Sequence, residues 1–260
     1  MSEKKEWFES EDVWKNYGPI MFDEVHWAEA PAIAERVKEI ANLHDGSTIL
    51  DAGCGVGRIS VELAALGLNV TGTDIIQAEL DTAAESARDE GVKIDFIKAD
   101  MRKWCRPGAF DCVVNLYTSF GYCDTVEEDM AYLKNMCDCV RPGGTFIFEG
   151  TTREIAAMYF TEGEEFERAG YKVVTDFSVT GAWEGLLSHW MLYSAETDLV
   201  KNPDAVPVVD HTFIQRLYPA AALRDKILEF GFSSAEIYGD WEKSPYDHKA
   251  ATCIIVARKR

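Results

Sequence analysis

The chain has 260 residues and a formal net charge of -19, from 26 Lys and Arg against 45 Asp and Glu. Such a field repels polyanions, which proteins hold by neutralising phosphates with basic side chains, so no nucleic-acid partner is expected. An apolar share of 47%, rich in aromatic rings, excludes a disordered chain, and the length suits one large α/β core with an inserted cap.

The seven cysteines form no C-x-x-C pair and read as reduced core residues. Met1 to Glu6 lacks the apolar stretch of a signal peptide and no apolar run is long enough to span a bilayer, so a cytoplasmic chain with no membrane partner is expected. Nothing in the sequence speaks to the oligomeric state.

In chain order, residues 7 to 27 interleave Trp7, Phe8, Trp14, Tyr17, Phe22 and Trp27 with acids and predict an ordered aromatic arm or lid, residues 1–30 in all. A helix is predicted from Pro31 to Asn42, with the proline in its first turn and Ile33, Val37 and Ile40 at helical spacing. Strands at 48–51 and 68–74 then alternate with helices at 57–66 and 77–90, the helices stopped by Gly67 and Gly91. Strands at 93–98 and 110–116 follow, and a capping box at Thr125 opens a helix that runs to Val140. The turn Arg141 to Gly144 feeds a strand over 145–149. Short apolar strands separated by helices predict a doubly wound, mostly parallel α/β sheet covered on both faces, with residues 31–150 as its core. Antiparallel strands predicted at 171–181, 186–197 and 208–218 make residues 151–218 a β-rich cap. A helix at 219–230 and strands at 235–238 and 252–257 return residues 219–260 to the core.

The segment Ile49-Leu50-Asp51-Ala52-Gly53-Cys54-Gly55-Val56-Gly57 sets three glycines between a strand and a helix, where the backbone must turn sharply and let a ligand come close. The dinucleotide fingerprint G-x-G-x-x-G needs glycine at 58, where this chain has Arg58, which speaks against a nicotinamide enzyme. Asp74 ends the second strand, where a carboxylate suits ribose hydroxyls, and Asp100 and Asn115 close the next two.

This run resembles the first motif of the class I S-adenosylmethionine-dependent methyltransferases, an apolar strand ending in an acid followed by x-G-x-G-x-G. The resemblance extends over about residues 13 to 258, and Trp14 to Glu24 and Ser244 to Ala250 look like a bacterial and archaeal branch of that family. It implies a Rossmann-like, doubly wound seven-stranded sheet with an antiparallel β-rich cap insertion. It also implies S-adenosylmethionine as cofactor and S-adenosylhomocysteine as product. On that resemblance Asp51, Ala52, Gly53, Cys54, Gly55 and Gly57 hold the methionine end, Asp74 the ribose, and Ile75, Asp100 and Met101 the adenine. Tyr17 and Asn115 complete the cofactor side.

The acceptor in that family lies past the fourth strand, here Asn115-Leu116-Tyr117-Thr118-Ser119-Phe120-Gly121-Tyr122, which departs from the Asn/Asp-Pro-Pro-Tyr motif of nucleobase and amide methylation. Tyr117, Phe120 and Tyr122 are candidates for an apolar wall and Ser119 for orienting the acceptor, with ordinary core packing as the alternative for each ring. An amine acceptor needs only a free lone pair, whereas a hydroxyl or acidic carbon gains from a general base. His248 is the candidate base, and His211, Arg216, Tyr218 and Tyr246 are candidates for the acceptor site. No His, Cys or Asp cluster has metal-ligand spacing, so no metal is expected. The expected function is in-line methyl transfer to a small molecule, with an amine favoured by the acidic, aromatic composition. A non-catalytic sensor or scaffold that binds S-adenosylmethionine, and a protein or RNA methyltransferase, are the alternatives.

Overall fold

The computed structural model describes residues 6–260; residues 1–5, the start of the expected arm, lie outside the described residues. A 3-10 turn, Trp7–Glu9, leads into α1 (Glu11–Met21), and α2 (Glu24–Ala41) follows after a two-residue break. Asp23 caps α2 by accepting from the His26 N–H at 3.1 Å. The helix predicted to open at Pro31 therefore starts at Glu24, and Pro31 sits inside it, removing one backbone donor without ending it.

From β1 (Thr48–Ala52) onward the chain alternates: α3 (Arg58–Ala65), β2 (Asn69–Asp74), α4 (Gln77–Asp89), β3 (Asp95–Lys98), β4 (Phe110–Asn115), α5 (Val126–Cys139) and β5 (Val140–Gly150). After α6 (Arg153–Met158) come β6 (Gly163–Arg168), β7 (Tyr171–Thr180), β8 (Gly185–Ser194) and β9 (Val209–Arg216). The chain closes with α7 (Ala220–Glu229), β10 (Phe232–Tyr238) and β11 (Cys253–Lys259).

The seven-stranded sheet has the order β10-β11-β5-β4-β1-β2-β3. β1 through β5 run parallel, while β11 pairs antiparallel with both β5 and β10. Alternate residues of the central strands feed two cores. Leu50, Val113, Phe146 and Ile255 face α5 and α7, while Ile49, Val114, Ile147 and Ile254 face α2 and α3. Both faces are covered, which is why these strands read as unbroken apolar runs; each fully buried large side chain among them contributes about 1.5–3 kcal/mol. The chain winds β1 to β3 on one side of β1, then returns on the other side at β4. The crevice above the carboxyl ends of β1 and β4 is the topological switch point.

The second sheet, β6-β7-β8-β9, is antiparallel throughout. α1 docks on it: Tyr17 and Ile20 pack with Val173 and Leu192, and the Tyr17 hydroxyl donates to the Trp190 carbonyl at 3.3 Å. Strand β6 was not predicted, because Gly163-Glu164-Glu165-Phe166-Glu167-Arg168 has one apolar side chain and no periodicity. Its hydrogen bonds to β7 hold it in the sheet. Among the described residues no helix is long and apolar enough to cross a membrane.

Candidate active site

A cavity of about 440 Å³ opens over the switch point, within the range of small-ligand sites. Its floor is the glycine loop. Gly53 and Gly55 take φ of 77° and 51°, and a Cβ on Gly55 would stand 3.2 Å from the Phe22 ring, so glycine is needed for the backbone to lie this close to what covers it. Asp51 at the end of β1 is buried and accepts from the Ser60 hydroxyl at 2.6 Å. Burial raises its pKa to about 6, a rise held down by the Ser60 bond and the Arg58 charge.

Asp74 ends β2 and does two structural jobs before any ligand arrives. One oxygen accepts from the Gly55 N–H and the other from the Ile76 N–H, both at 2.9 Å, fixing the loop against the start of α4. Burial pushes its carboxyl up and these amides pull it back. At Asp100 burial also raises the pKa, but the bonds from Arg102 outweigh it and the net shift is downward. Arg102 further pairs with Glu9 at 2.9 Å and covers the Phe8 ring, so it ties the N-terminal segment to the strand-end acid.

Tyr117 and Thr118 after β4 have φ of 53° and 59°, two consecutive non-glycine residues in the left-handed region. Such residues cost about 1–3 kcal/mol each and persist where their surroundings over-determine them. Here the Tyr117 N–H donates to Glu149 Oε2 at 2.7 Å, and Thr118 and Thr151 hydroxyls meet at 3.3 Å. The strained turn presents Tyr117, Thr118, Ser119 and Tyr122 to the cavity.

Most of the residues singled out from the sequence line this one cavity. Of those expected to hold the cofactor, Tyr17, Asp51, Gly53, Cys54, Gly55, Asp74, Ile75, Asp100 and Met101 do so, and of those expected at the acceptor, Tyr117, Ser119, Tyr122 and His211. Others stand elsewhere. Ala52 and Asn115 lie behind the floor, where the Asn115 amide donates to the Ala52 carbonyl at 2.7 Å and ties β4 to β1. Gly57 packs α3 against α4 at Ala83. Phe120 is a core ring against Tyr132, Phe148 and Tyr218. Arg216 and the Tyr218 hydroxyl both turn to buried Asp129, and Tyr246 bonds Thr152 at 2.5 Å. His248 is not brought to the cavity. Its side chain is 81% exposed, because the turn around Asp247 anchors Tyr246 inward and leaves the next residues outside.

The cavity also holds residues that sequence reasoning passed over: His26, Arg58, Glu79, Glu149, Trp190 and Phe213. Glu149 is the penultimate residue of β5, and the strand-end rule that pointed to Asp74 also points to it. It is half-buried, and burial raises its carboxyl against the bonds from Thr252 and the Tyr117 N–H. Among the described residues, three of the five buried side-chain polar atoms that lack a partner lie in the lining, Trp7 Nε1, Glu79 Oε2 and His211 Nε2; the others are Asn115 Oδ1 and Arg153 Nε. Buried polar atoms are otherwise almost always paired, so this clustering marks a site built for a polar ligand. Burial holds the His211 imidazole below its usual range, against the Asp210 charge, and its ring stacks on Phe213.

Glu79, in the first turn of α4, has its pKa raised to about 7 by burial first and by the Asp74 charge second. A carboxyl raised in the folded state stabilises it at low pH and loses that contribution as pH climbs through the folded pKa. Glu79→Gln is therefore expected to melt like the parent at pH 4.5 and to be more stable at pH 8, by on the order of 1–2 kcal/mol after allowing for screening from the open cavity. Equal shifts in melting temperature at both pH values would show that this carboxyl is not held neutral.

Residues 49–144 match the family described as a methyltransferase domain. A putative methyltransferase of Bacillus subtilis, YqeM, is 28% identical over 223 residues, covering 84% of this chain and 87% of that protein. The ubiquinone biosynthesis O-methyltransferase of Rickettsia canadensis is 31% identical over 121 residues, 46% of this chain. The chain spans about half the length of that curated relative, 50%. Among solved structures, an S-adenosylmethionine-dependent methyltransferase from Clostridium acetobutylicum shares the fold with a TM-score of 0.75 at 14% identity, covering 95% of this chain and 99% of that one. The sheet order, the glycine loop and the strand-end carboxylates agree with these matches: residues 49–144 are similar to a methyltransferase domain, and the chain shares the fold of that S-adenosylmethionine-dependent methyltransferase.

Proposed function

We propose that the chain transfers a methyl group from S-adenosylmethionine to a small-molecule acceptor held between the glycine loop and the second sheet. When bound, the cofactor supplies an electrophilic methyl on a sulfonium, and the protein's contribution is position, charge and the exclusion of water. In this reading Asp51 takes the methionine ammonium, Asp74 the ribose hydroxyls, and Asp100, Met101 and Ile75 the adenine. The observation that carries it is the set of orphaned polar atoms in one cavity: a donor at Trp7, a carboxyl oxygen at Glu79 and a ring nitrogen at His211.

The acceptor end is walled by aromatic rings. Trp7 stacks on Phe213 at 4.5 Å and meets Tyr122 edge-on at 5.3 Å, with Trp14 stacked at 6.0 Å on its other side. Rings of this kind, in a cavity that Glu149 also lines, favour a planar or cation-forming metabolite such as an amine over a polymer.

A hydroxyl acceptor is a second reading, favoured by His26. Its Nδ1 meets Asp23 Oδ1 at 2.5 Å, which leaves Nε2 as the nitrogen to take a proton, and the residue lines the cavity near Tyr117. The name of the O-methyltransferase relative agrees with that chemistry.

The test is transfer from methyl-labelled S-adenosylmethionine to a cell extract separated by size. Label is expected in the small-molecule fraction, whose product then decides between nitrogen and oxygen. Label confined to protein or RNA would reject the proposed acceptor class, and none in any fraction would favour a binding module without turnover.

A further inference from the structure

The amino-acid end of the cofactor is a zwitterion, and Asp51 answers only its ammonium. A cation stands close by. Arg58, the first residue of α3, directly follows the glycine loop and is 4% exposed, yet it lines the cavity. Its guanidinium lies over the Tyr117 ring at 4.3 Å and near the Phe22 ring at 6.0 Å, and one nitrogen donates to the His26 carbonyl. Among the described residues no carboxylate reaches it at ion-pair distance. Arg102, by contrast, lines the same cavity with Asp100 and Glu9 already paired to it.

A buried guanidinium without a counter-ion is costly, because aromatic faces, the Tyr117 hydroxyl and one carbonyl replace only part of its hydration. A carboxylate arriving between its nitrogens removes that cost and accepts a forked pair of charge-assisted bonds. Position agrees with chemistry. Asp74 ends β2 on one side of β1, while Arg58 lies against Tyr117, beyond the end of β4 on the other. A ligand with its ribose at Asp74 thus runs its opposite end across the glycine loop toward Arg58, passing Asp51. The Arg58 charge is close enough to Asp51 to offset part of the effect of burial there.

We propose that Arg58 binds the α-carboxylate of the methionyl group and, with Asp51, reads the amino acid as a zwitterion. This rests on the reading that the cavity takes S-adenosylmethionine. It also gives Arg58 a role beyond breaking the dinucleotide fingerprint.

The experiment is equilibrium binding of three ligands: S-adenosylhomocysteine, its carboxamide, and 5′-methylthioadenosine, which lacks the amino-acid end. The wild-type chain is expected to prefer S-adenosylhomocysteine over the carboxamide by about tenfold or more, the scale of a lost charge-assisted pair. Arg58→Met, which keeps the apolar stem, is expected to erase that preference while binding 5′-methylthioadenosine within about twofold of wild type, and Arg58→Lys to fall between. An undiminished carboxamide penalty in Arg58→Met, or an equal loss for all three ligands, overturns the assignment. A wild-type chain that binds none of the three overturns the cofactor reading itself, a different result from either.

Discussion

Asp74→Ala is expected to weaken S-adenosylhomocysteine binding by about a hundredfold, the upper end of the roughly 1.5–3 kcal/mol of one charged hydrogen-bonding group. The reason is that this carboxylate has two duties. Besides its proposed ribose contacts it satisfies the Gly55 and Ile76 amides, so its loss leaves two buried donors unpaired and unpins the loop that forms the cavity floor. Asp74→Asn retains one acceptor oxygen in the same shape and is expected to lose less. Calorimetric titration of both variants checks this, and equal affinities for Asp74→Ala and wild type would detach the residue from the cofactor.

The largest expected effect on stability comes from a residue outside the cavity lining. Gly57 has a φ of 77°, and a Cβ there would stand 2.7 Å from the Ala83 Cβ of α4. Gly57→Ala pays both the left-handed penalty and the clash, together about 2–4 kcal/mol, which for a chain of this size lowers the melting temperature by roughly 10 °C. Adding Ala83→Gly removes the clash and leaves the backbone penalty, so the double variant is expected to melt above the single one. If Gly57→Ala melts with wild type, the helices are not packed as described.

What could be read from the sequence was what lies close together along it. Asp51 through Gly57 is one strand-turn-helix, and the positions of Asp74 and Asp100 follow from where two further strands stop. Those signals are local, and the fold honours them. The acceptor side is built instead by segments that meet only in three dimensions: Trp7 stacks on Phe213 across more than two hundred residues of chain. Nothing in either neighbourhood announces the other.

Two kinds of error have distinct causes. His248 looked like a base because it follows Pro-Tyr-Asp near the last strand, but in that turn Tyr246 is the residue drawn inward, to Thr152. His26 carries no signal along the sequence: its partner Asp23 is the cap of a helix expected to start only at Pro31, and the same oxygen accepts from the His26 backbone and from its ring. Arg216 and Tyr218 were rightly grouped on one strand, since residues two apart share a face, but that face turns to Asp129 and the core.

The most direct test of the central claim is to titrate the wild-type chain with S-adenosylhomocysteine and, in parallel, with NAD. The architecture of loop, strand-end acids and Arg58 leads to saturable binding of one S-adenosylhomocysteine per chain and none of the dinucleotide. Binding of the dinucleotide alone, or of neither, would contradict the assignment of this cavity.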